Sequence, residues 1–338
     1  MTREPEPGRS PGELRDPFGS AAIDGAPATD SSVSIAPKEH PAFVRAVESA
    51  GGRVAPLGST TTGLVWCDGT SEGCRRLETV LRGHPSIEWV QLPWAGVEHF
   101  IPLLRSLRGR RITWTCAKGA YSEPVAEHAL ALILAVLRHL PEKARLAGWQ
   151  RPATGTTLFG RRVLIVGGGG IAARLAALLA PWEVDLTVVR PSASEVPGAR
   201  RTVSTDEIDP ELARAEIVVL AAPSTGGTAH LLNEQRLRLM QDRAVIVNVA
   251  RGSLVDTAAL VNELERGRFT GVALDVTEPE PLPQAHRLWE IPRVLVTSHS
   301  ADTEEMVERL LAQRLETNTR AHLARSGYVG VIDPVKGY

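Results

Sequence analysis

The chain has 338 residues, of which 43% are hydrophobic and 23% charged, and its formal net charge is −1. This length allows two domains with sizeable cores, and the near-zero charge counts against a basic face that binds nucleic acid. The longest apolar run, residues 129–137, is too short to cross a bilayer, and the N-terminus lacks the apolar segment of a secretory signal.

The three cysteines, Cys67, Cys74 and Cys116, form no CxxC pair and no zinc-ligand spacing. A sparse, odd number of cysteines argues against a disulfide framework and indicates a reducing compartment. We therefore expect a cytoplasmic protein without a structural metal.

The N-terminal residues, 1–32, are rich in proline, glycine, serine and charge and show no hydrophobic period, so we interpret them as a disordered tail. Short apolar strands and helical segments alternate after it, which is typical of a parallel α/β sheet. The predicted strands of this first region are 32–36, 54–57, 63–67, 88–92 and 111–116, and a helix is predicted over 41–50.

A long apolar helix is predicted over 123–138, and it has so little polar surface that it must be covered on several sides. A core helix of one domain and a helix at a domain junction or subunit interface both meet that need. A second α/β region starts at Arg161. Its six predicted strands, which suit a doubly wound dinucleotide-binding sheet, are 163–166, 186–189, 217–220, 244–248, 272–275 and 294–297. A helix over 303–325 follows, and a short strand and loop after it would rejoin the first region.

A glycine-rich turn, Gly167-Gly168-Gly169-Gly170, follows the first strand of the second region and opens a helix. The match to G-x-G-x-x-G/A uses Gly167 for the tight turn, Gly169 for close approach of a pyrophosphate, and Ala172 for packing of helix on strand. The helix N-terminus then presents free N–H groups and a partial positive charge to the phosphates. The strand-turn-helix context favours a dinucleotide site over a turn without a ligand.

The residue after the second strand selects between the two nicotinamide dinucleotides. A carboxylate there would bind the ribose hydroxyls of NAD, but this chain has Arg190 followed by Pro191. Because a guanidinium pairs with a 2′-phosphate, Arg190 favours NADP(H) over NAD(H). The alternative is a solvated Arg190 lying across the adenine, with NAD(H) bound less selectively. The other residues that we expect to contact the cofactor are Ile171, Ala222, Pro223, Thr228, Val249, Ala250, Asp275 (at the carboxamide), His299 and Ala301.

Three polar residues, Arg251, Glu280 and His299, follow later strands and would converge on one sheet edge beside the nicotinamide. Arg251 can bind a carboxylate in a bidentate fork. His299 can give a proton to a carbonyl oxygen as hydride arrives, and Glu280 can orient its imidazole. Together they suit reduction of a 2-oxo acid, although each alone has a structural alternative: an ion-paired arginine, an exposed acid and a core histidine.

These motifs resemble those of the D-isomer-specific 2-hydroxyacid dehydrogenase family. The segments that carry the resemblance are AGVEHF (95–100), PVAEHALALILA (124–135), VGGGGIAARLA (166–176), VNVARGSLVDTAALVNELERG (247–267), ALDVTEPEPLP (273–283) and SHSADT (298–303). The resemblance runs from Ser34 to the C-terminus. It implies that Arg251 orients the substrate, that Glu280 is the acid paired with histidine, and that His299 is the general acid/base.

The resemblance also implies an architecture and an assembly. A Rossmann nucleotide domain, 119–301, would be inserted in a flavodoxin-like substrate domain made of 33–118 and 302–338. Both would be doubly wound parallel-sheet domains. Backbone N–H groups of Ala95, Gly96 and Val97 would hold the substrate carboxylate, and the long helix would lie in a homodimer interface.

The chain departs from the family pattern at positions that bear on the substrate. Ser298 stands where the family more often has proline, so the local backbone is expected to differ. Glu280 argues against the formate-oxidising relatives, which pair their histidine with an amide. Residues 65–69 lack the arginine of phosphoglycerate-type members, and Asp68 would repel a phosphate if it faced the site. Trp94 adds an apolar wall beside Gly96.

We therefore expect a small unphosphorylated 2-oxo acid such as glyoxylate, hydroxypyruvate or pyruvate. A D-3-phosphoglycerate dehydrogenase stays open if other basic residues reach the pocket, as does a phosphite or phosphonate oxidoreductase. A nucleotide-sensing binding protein is the alternative from another class, because corepressors of this fold can keep the same three residues.

Overall fold

The structure is a computed structural model that describes residues 31–149 and 151–333. The predicted tail, 1–32, lies outside these ranges except for its last two residues, and Ser32 already begins the first strand. The described chain divides into two compact units. The first contains the residues up to Cys116 and from Ala312 onward, and the second runs from Ala117 to Leu311.

The first unit has a parallel sheet in the order β1-β2-β3-β4, with β1 Ser32–Ala36, β2 Thr61–Trp66, β3 Trp89–Gln91 and β4 Thr113–Thr115. The strand predicted over 54–57 is wrong: Val54 makes only a single parallel bridge to Val33, on the side of β1 away from β2. Pro56 has no N–H with which to continue that pairing. With the bridge counted as a strand, the order is the flavodoxin-like 2-1-3-4-5.

Helices α1 (Pro41–Ser49), α2 (Ser71–Gly83) and α3 (Ile101–Ser106) connect these strands. Neither α2 nor α3 is among the helices predicted from the sequence. Thr70 caps α2 by accepting a hydrogen bond from the N–H of Gly73 at 3.0 Å. Leu77 and Leu81 of α2 are fully buried in the apolar core of this unit.

The second unit has a seven-stranded parallel sheet in the order β11-β10-β9-β8-β5-β6-β7. Its strands are β5 Arg162–Val166, β6 Asp185–Val189, β7 Arg201–Val203, β8 Ile217–Leu220, β9 Val245–Asn248, β10 Gly271–Leu274 and β11 Val294–Val296. Counted from β5, this is the doubly wound order 3-2-1-4-5-6 with one strand added. The edge strand β7 was not predicted, because its three half-buried residues form no apolar run.

The helices of this unit are α4 Ser122–Leu137, α5 Leu140–Lys143, α6 Gly170–Leu179, α7 Ile208–Arg214, α8 Glu234–Leu239 and α9 Thr257–Glu265, and α10 Glu304–Ala324 continues into the first unit. The long apolar helix α4 packs on α6 and on strands β9 and β10. Its residues Ala126, Ala129 and Ile133 are fully buried, so α4 is a core helix of this unit. Within 31–149 and 151–333, no helix is both long and apolar enough to span a membrane.

Candidate active site

Every predicted site residue of the second unit follows the carboxyl end of a strand. Because all seven strands are parallel, these loops share one edge of the sheet. The reversal of strand order between β5 and β8 places the glycine-rich turn beside the loop that begins at Ala221. Ligands bind at such a switch point in open α/β sheets.

The glycine-rich turn has the shape that a dinucleotide pyrophosphate requires. Gly167 has φ +115°, and a Cβ there would lie 2.4 Å from the carbonyl oxygen of Ala221, so only glycine fits. A Cβ at Gly169, the N-cap of the ten-residue helix α6, would have nothing within 4 Å. Ala172 is fully buried, as close packing of helix on strand demands. Free N–H groups at an open helix N-terminus suit a phosphate, so these residues fit the cofactor.

Arg190 follows β6 and lies over this turn: a Cβ on Gly168 would be 2.6 Å from the Cδ atom of Arg190. The exposed residues after Pro191 include Ser192 and Ser194, whose hydroxyl oxygens are 2.8 Å apart. A guanidinium and hydroxyl groups are suitable donors for a phosphate ester.

The remaining predicted cofactor residues lie along the same edge: Ile171 in the first turn of α6, Ala222, Pro223 and Thr228 after β8, and Val249 and Ala250 after β9. Thr228 donates to the carbonyl of Pro223 at 2.7 Å, which folds that loop back on itself. The buried Val249 and Ala250 lead into Arg251. Contacts of these residues with a cofactor stay a prediction.

The structure brings Glu280 and His299 together. The Nδ1 atom of His299 is 2.6 Å from Oε1 of Glu280, and both side chains are nearly half exposed. The other carboxylate oxygen of Glu280 accepts a hydrogen bond from the N–H of Thr277 at 3.3 Å. The carboxylate is thus held by its own loop and presented to the imidazole.

Arg251 is positioned by two neighbours. The buried Asn248 donates to the carbonyl of Arg251 at 2.9 Å and accepts from the N–H of Ala250 at 3.1 Å, which fixes the bend after β9. A Cβ at Gly252 would lie 1.9 Å from the carbonyl oxygen of Thr277. The arginine loop therefore rests directly on the loop that carries Glu280.

Asp275 is 2% exposed and organises the turn that carries His299. Its Oδ1 atom accepts hydrogen bonds from the Thr297 hydroxyl at 2.6 Å and the Ser300 N–H at 2.8 Å. Its Oδ2 atom lies 3.3 Å from the N–H of Ala301, and its backbone carbonyl accepts the N–H of His299 at 2.6 Å. The expected contact of Asp275 with the cofactor carboxamide stays a prediction.

The turn itself has an unusual backbone. Ser298 and His299 both have φ +53°, in the left-handed region that non-glycine residues rarely adopt. Proline, with φ fixed near −65°, cannot adopt this conformation. Serine in place of the family's usual proline is therefore compatible with a turn that proline would forbid.

The structure adds three residues that the sequence analysis did not identify: His128, Thr297 and Asp302. The Nε2 atom of His128, on α4, is 3.0 Å from the Thr297 hydroxyl and 3.3 Å from Oδ1 of Asp275. Burial works against ionisation of Asp275, but hydrogen bonds from His128, Thr297 and Ser300 outweigh it and lower its pKa to about 2.

Asp302 is half-buried three residues after His299. Burial raises the pKa of its carboxyl, an effect that the positive charges of His299 and Arg251 oppose and the charge of Asp275 reinforces. An acidic residue directly after the SHSA segment was the available sequence signal.

In the first unit, the predicted substrate residues Trp94, Ala95, Gly96 and Val97 form the loop after β3. A Cβ at Gly69 would lie 1.7 Å from Nε1 of Trp94, so the indole rests on Gly69 while the residue stays 47% exposed.

The negative charge of Asp68, which we expected to repel a phosphate, has partners close by. Its side chain accepts hydrogen bonds from the N–H of Thr70 at 2.9 Å and the hydroxyl of Thr70 at 2.7 Å, and it forms an ion pair with Arg76. The Thr70 bonds lead the effects that lower the pKa of Asp68. Because Arg76, on the following helix α2, balances this charge, Asp68 by itself does not exclude a phosphorylated substrate.

Comparison with known proteins gives a consistent result. The family model described as D-isomer specific 2-hydroxyacid dehydrogenase, NAD binding domain, matches residues 130–301. A glyoxylate reductase of Thermofilum pendens is 32% identical over 253 residues, which cover 72% of this chain and 74% of the relative. A D-3-phosphoglycerate dehydrogenase of Mycobacterium bovis is 32% identical over 68% of this chain, but the match spans only 44% of that longer protein.

The chain is also similar to a solved structure. The crystal structure of a D-isomer specific 2-hydroxyacid dehydrogenase from Xanthobacter autotrophicus Py2, in complex with NADPH and MES, superposes with a TM-score of 0.76. The sequence identity is 26%, and the match covers 92% of this chain and 100% of that one.

Proposed function

Because the chain belongs to the D-isomer specific 2-hydroxyacid dehydrogenase family, we propose that it reduces a small unphosphorylated 2-oxo acid to the 2-hydroxy acid. The observation that carries the proposal is the 2.6 Å contact between His299 and Glu280. It lies on the sheet edge that also carries Arg251 and the glycine-rich turn.

Each residue of the proposed catalytic group has one task. A bound nicotinamide supplies or accepts the hydride. Arg251 binds the substrate carboxylate with its planar guanidinium and keeps the neighbouring carbonyl in place. Because Glu280 engages Nδ1 of His299, Nε2 is the atom that gives a proton to the carbonyl oxygen, and in the reverse direction takes one from the hydroxyl. The carboxylate of Glu280 holds the ring in the required orientation.

We propose NADP(H) as the preferred cofactor. The position of Arg190 over the glycine-rich turn supports it, as do the serine hydroxyls that follow. The chain ends β6 with no carboxylate that could accept hydrogen bonds from the ribose of NAD. The Xanthobacter relative contains NADPH in its crystal structure.

The proposed substrate is glyoxylate, hydroxypyruvate or pyruvate. We assign the backbone N–H groups of Ala95, Gly96 and Val97 to the substrate carboxylate, as the family resemblance implies. Trp94 is held on Gly69, and we propose that this indole limits the size of the substrate side chain. The glyoxylate reductase among the relatives supports a small substrate.

A second candidate is oxidation of D-3-phosphoglycerate. The similarity to the Mycobacterium bovis enzyme favours it, as does the balanced charge of Asp68 and Arg76. The chain nevertheless spans less than half the length of that relative.

We also propose a homodimer. Several large apolar side chains after α4 and on α6 are exposed, and Trp149 is 90% exposed. The others are Leu140, Leu146, Phe159 and Leu178. We propose that a second copy of the chain covers these side chains and so removes their apolar surface from water. The sparse cysteine content, three in 338 residues, supports the cytoplasm as the proposed location.

The test is loss of nicotinamide absorbance with purified protein, using NADPH and NADH in parallel. The substrates are glyoxylate, hydroxypyruvate, pyruvate, a bulky 2-oxo acid and phosphohydroxypyruvate. Turnover of a small unphosphorylated acid supports the proposal, whereas turnover of phosphohydroxypyruvate alone supports the second candidate. Tight cofactor binding without turnover of any acid would contradict both and favour a nucleotide-sensing protein or an oxyanion such as phosphite as substrate.

A further inference from the structure

The turn that carries His299 requires external support. Two consecutive residues, Ser298 and His299, have φ +53°. Such a conformation is strained in a non-glycine residue and persists only where the surroundings hold it in place. Here the support comes from Asp275, whose carboxylate accepts a hydrogen bond from the Thr297 hydroxyl before the strained pair and from the backbone N–H groups of Ser300 and Ala301 after it.

Asp275 in turn belongs to a cluster of three side chains, His128, Asp275 and Thr297, which we name the Asp275 cluster. His128 reaches it from α4, a helix that is distant in sequence from the catalytic loops. Asp275 and Thr297 directly follow the neighbouring strands β10 and β11. The cluster therefore connects a core helix to the two strands from which Glu280 and His299 emerge.

The direction of the hydrogen bonds in the cluster can be deduced. The Thr297 hydroxyl donates its single proton to Oδ1 of Asp275 at 2.6 Å. Its oxygen can then only accept from His128, 3.0 Å away. Nε2 of His128 must carry a hydrogen, and the same N–H lies 3.3 Å from Oδ1 of Asp275.

Loss of the Nε2–H donor of His128 would weaken the hydrogen bonds that support the turn carrying His299. The Asp275 side chain is 1% exposed, so water does not readily replace a missing hydrogen bond. Both Thr297 and Asp275 would lose a partner at once. The carboxylate would then be less firmly held against the N–H groups of Ser300 and Ala301, which fix the far side of the strained pair.

We propose that His128 is a positioning residue for the reaction: its Nε2–H fixes Thr297 and Asp275, and through them the orientation of His299 toward Glu280. His128 makes no contact with the reacting groups in this account. The expected effect on turnover rests on the proposed function, whereas the expected effect on the turn itself does not.

Two substitutions of His128 distinguish the effect of losing the hydrogen bond from the effect of changing the shape of the side chain. His128→Leu removes the donor and keeps an apolar side chain of similar bulk, whereas His128→Gln places an amide N–H close to the position of Nε2. Glu127→Gln, at the exposed neighbouring position of the same helix, is the matched control. All variants are prepared as full-length protein, and kcat is expressed per NADPH-binding site so that only folded protein counts.

We expect His128→Leu to lower kcat roughly 10- to 100-fold, because a misplacement of about 1 Å costs as much. The dissociation constant of NADPH should change little. Amide hydrogen exchange of the segment 298–302 should become about 5- to 10-fold faster, as expected for one lost hydrogen bond. His128→Gln should recover most of both properties, and Glu127→Gln should match the wild type in both.

A double-mutant cycle with Thr297→Val gives an independent check. Because both residues act through the same hydrogen bonds, the losses in kcat for His128→Leu and Thr297→Val should be strongly non-additive. Unchanged exchange at 298–302 in His128→Leu, or a kcat per site equal to the wild type, would overturn the proposal. So would a His128→Gln variant as impaired as His128→Leu. If the wild type reduces no 2-oxo acid but exchange at 298–302 is still faster in His128→Leu, the proposed function is refuted. The role of His128 in supporting the turn then stands.

Discussion

Each unit buries a cluster that contains an ionisable side chain, and the two clusters differ in the charge of that side chain. In the second unit, Asp275 stays ionised at 2% exposure because side-chain and backbone N–H and O–H groups donate to it. In the first unit, His322 is 8% exposed, and burial, with a smaller effect from Arg325, lowers its pKa to about 4. Its ring lies 2.9 Å from the Thr62 hydroxyl and 3.0 Å from that of Tyr328.

The difference in charge between Asp275 and His322 corresponds to a difference in what the two clusters hold in place. A buried charge is destabilising unless hydrogen bonds compensate for it. In the second unit, the hydrogen bonds that compensate for the charge of Asp275 come from the loop that carries His299. The neutral His322, on α10, packs on Trp89 of β3, with ring centroids 5.1 Å apart. This contact joins α10 to the sheet of the first unit. The charged cluster supports the turn that carries His299, the proposed general acid, and the neutral cluster supports the packing of the first unit.

The largest expected effect is at the catalytic turn. His299→Asn should lower kcat about 10³-fold, because a positioned general acid contributes 10²–10⁴. The affinity for NADPH should stay within a few-fold, since the glycine-rich turn is untouched. Steady-state kinetics and fluorescence titration of NADPH measure the two quantities. Loss of NADPH binding together with turnover would show that the cofactor and catalytic roles are not separable in this way.

The next largest effect is the dependence of the free energy of unfolding on pH, which we attribute to His322. Because the folded pKa of His322 is depressed, its contribution to stability is complete above pH 6.5, the ordinary histidine value, and is lost as the pH falls toward about 4. Over that window the unfolded chain binds the proton and the folded chain does not. The loss amounts to about 3 kcal/mol. Urea unfolding at pH 7 and pH 5 should show about 2 kcal/mol of this loss, because the pH falls only about 1.5 units below the unfolded pKa. His322→Gln should be less sensitive to pH over the same window, and an equal slope would exclude His322 as the source.

Arg190→Ala should weaken NADPH binding roughly 10- to 100-fold, the loss of a charge-assisted pair with the 2′-phosphate, and should change NADH binding little. Arg200→Ala is the control, because that arginine lies in the same unit and its side chain is 74% exposed. Isothermal titration with both cofactors measures the effect. Equal losses for NADPH and NADH would mean that Arg190 does not recognise the 2′-phosphate.

The smallest expected effect is on substrate size. Gly69→Ala should displace the Trp94 indole, because the new Cβ would lie 1.7 Å from Nε1. We expect the ratio of kcat/KM for a bulky 2-oxo acid to that for glyoxylate to change about 10-fold, the usual scale for one pocket contact. Gly83→Ala, where a Cβ would have nothing within 4 Å, is the control. An unchanged ratio in Gly69→Ala would remove Trp94 from the pocket wall.

Features that depend on a short stretch of chain could be predicted from the sequence. The glycine-rich turn is one, because strand, turn and helix follow one another within 163–180. The two parallel sheets and the family were predicted correctly from the same kind of pattern. Strand β7 was missed because an edge strand of three residues buries too little to leave an apolar pattern.

The support of the catalytic turn could not be predicted from the sequence. His128 and Thr297 are 169 residues apart and meet only in the folded sheet. The left-handed backbone at Ser298 and His299 leaves no local signal either, because neither residue is glycine. A histidine on an apolar helix looks like any core histidine until its partners are known.

The most direct test follows the hydride itself. NADPH carrying deuterium at the transferred position of the nicotinamide is incubated with glyoxylate and the protein, and the 2-hydroxy acid is analysed by mass spectrometry. We expect glycolate with one deuterium at C2 from the wild-type chain and almost none from His299→Asn under the same conditions. Oxidation of NADPH without deuterium in the acid, or equal labelling by both proteins, would contradict it.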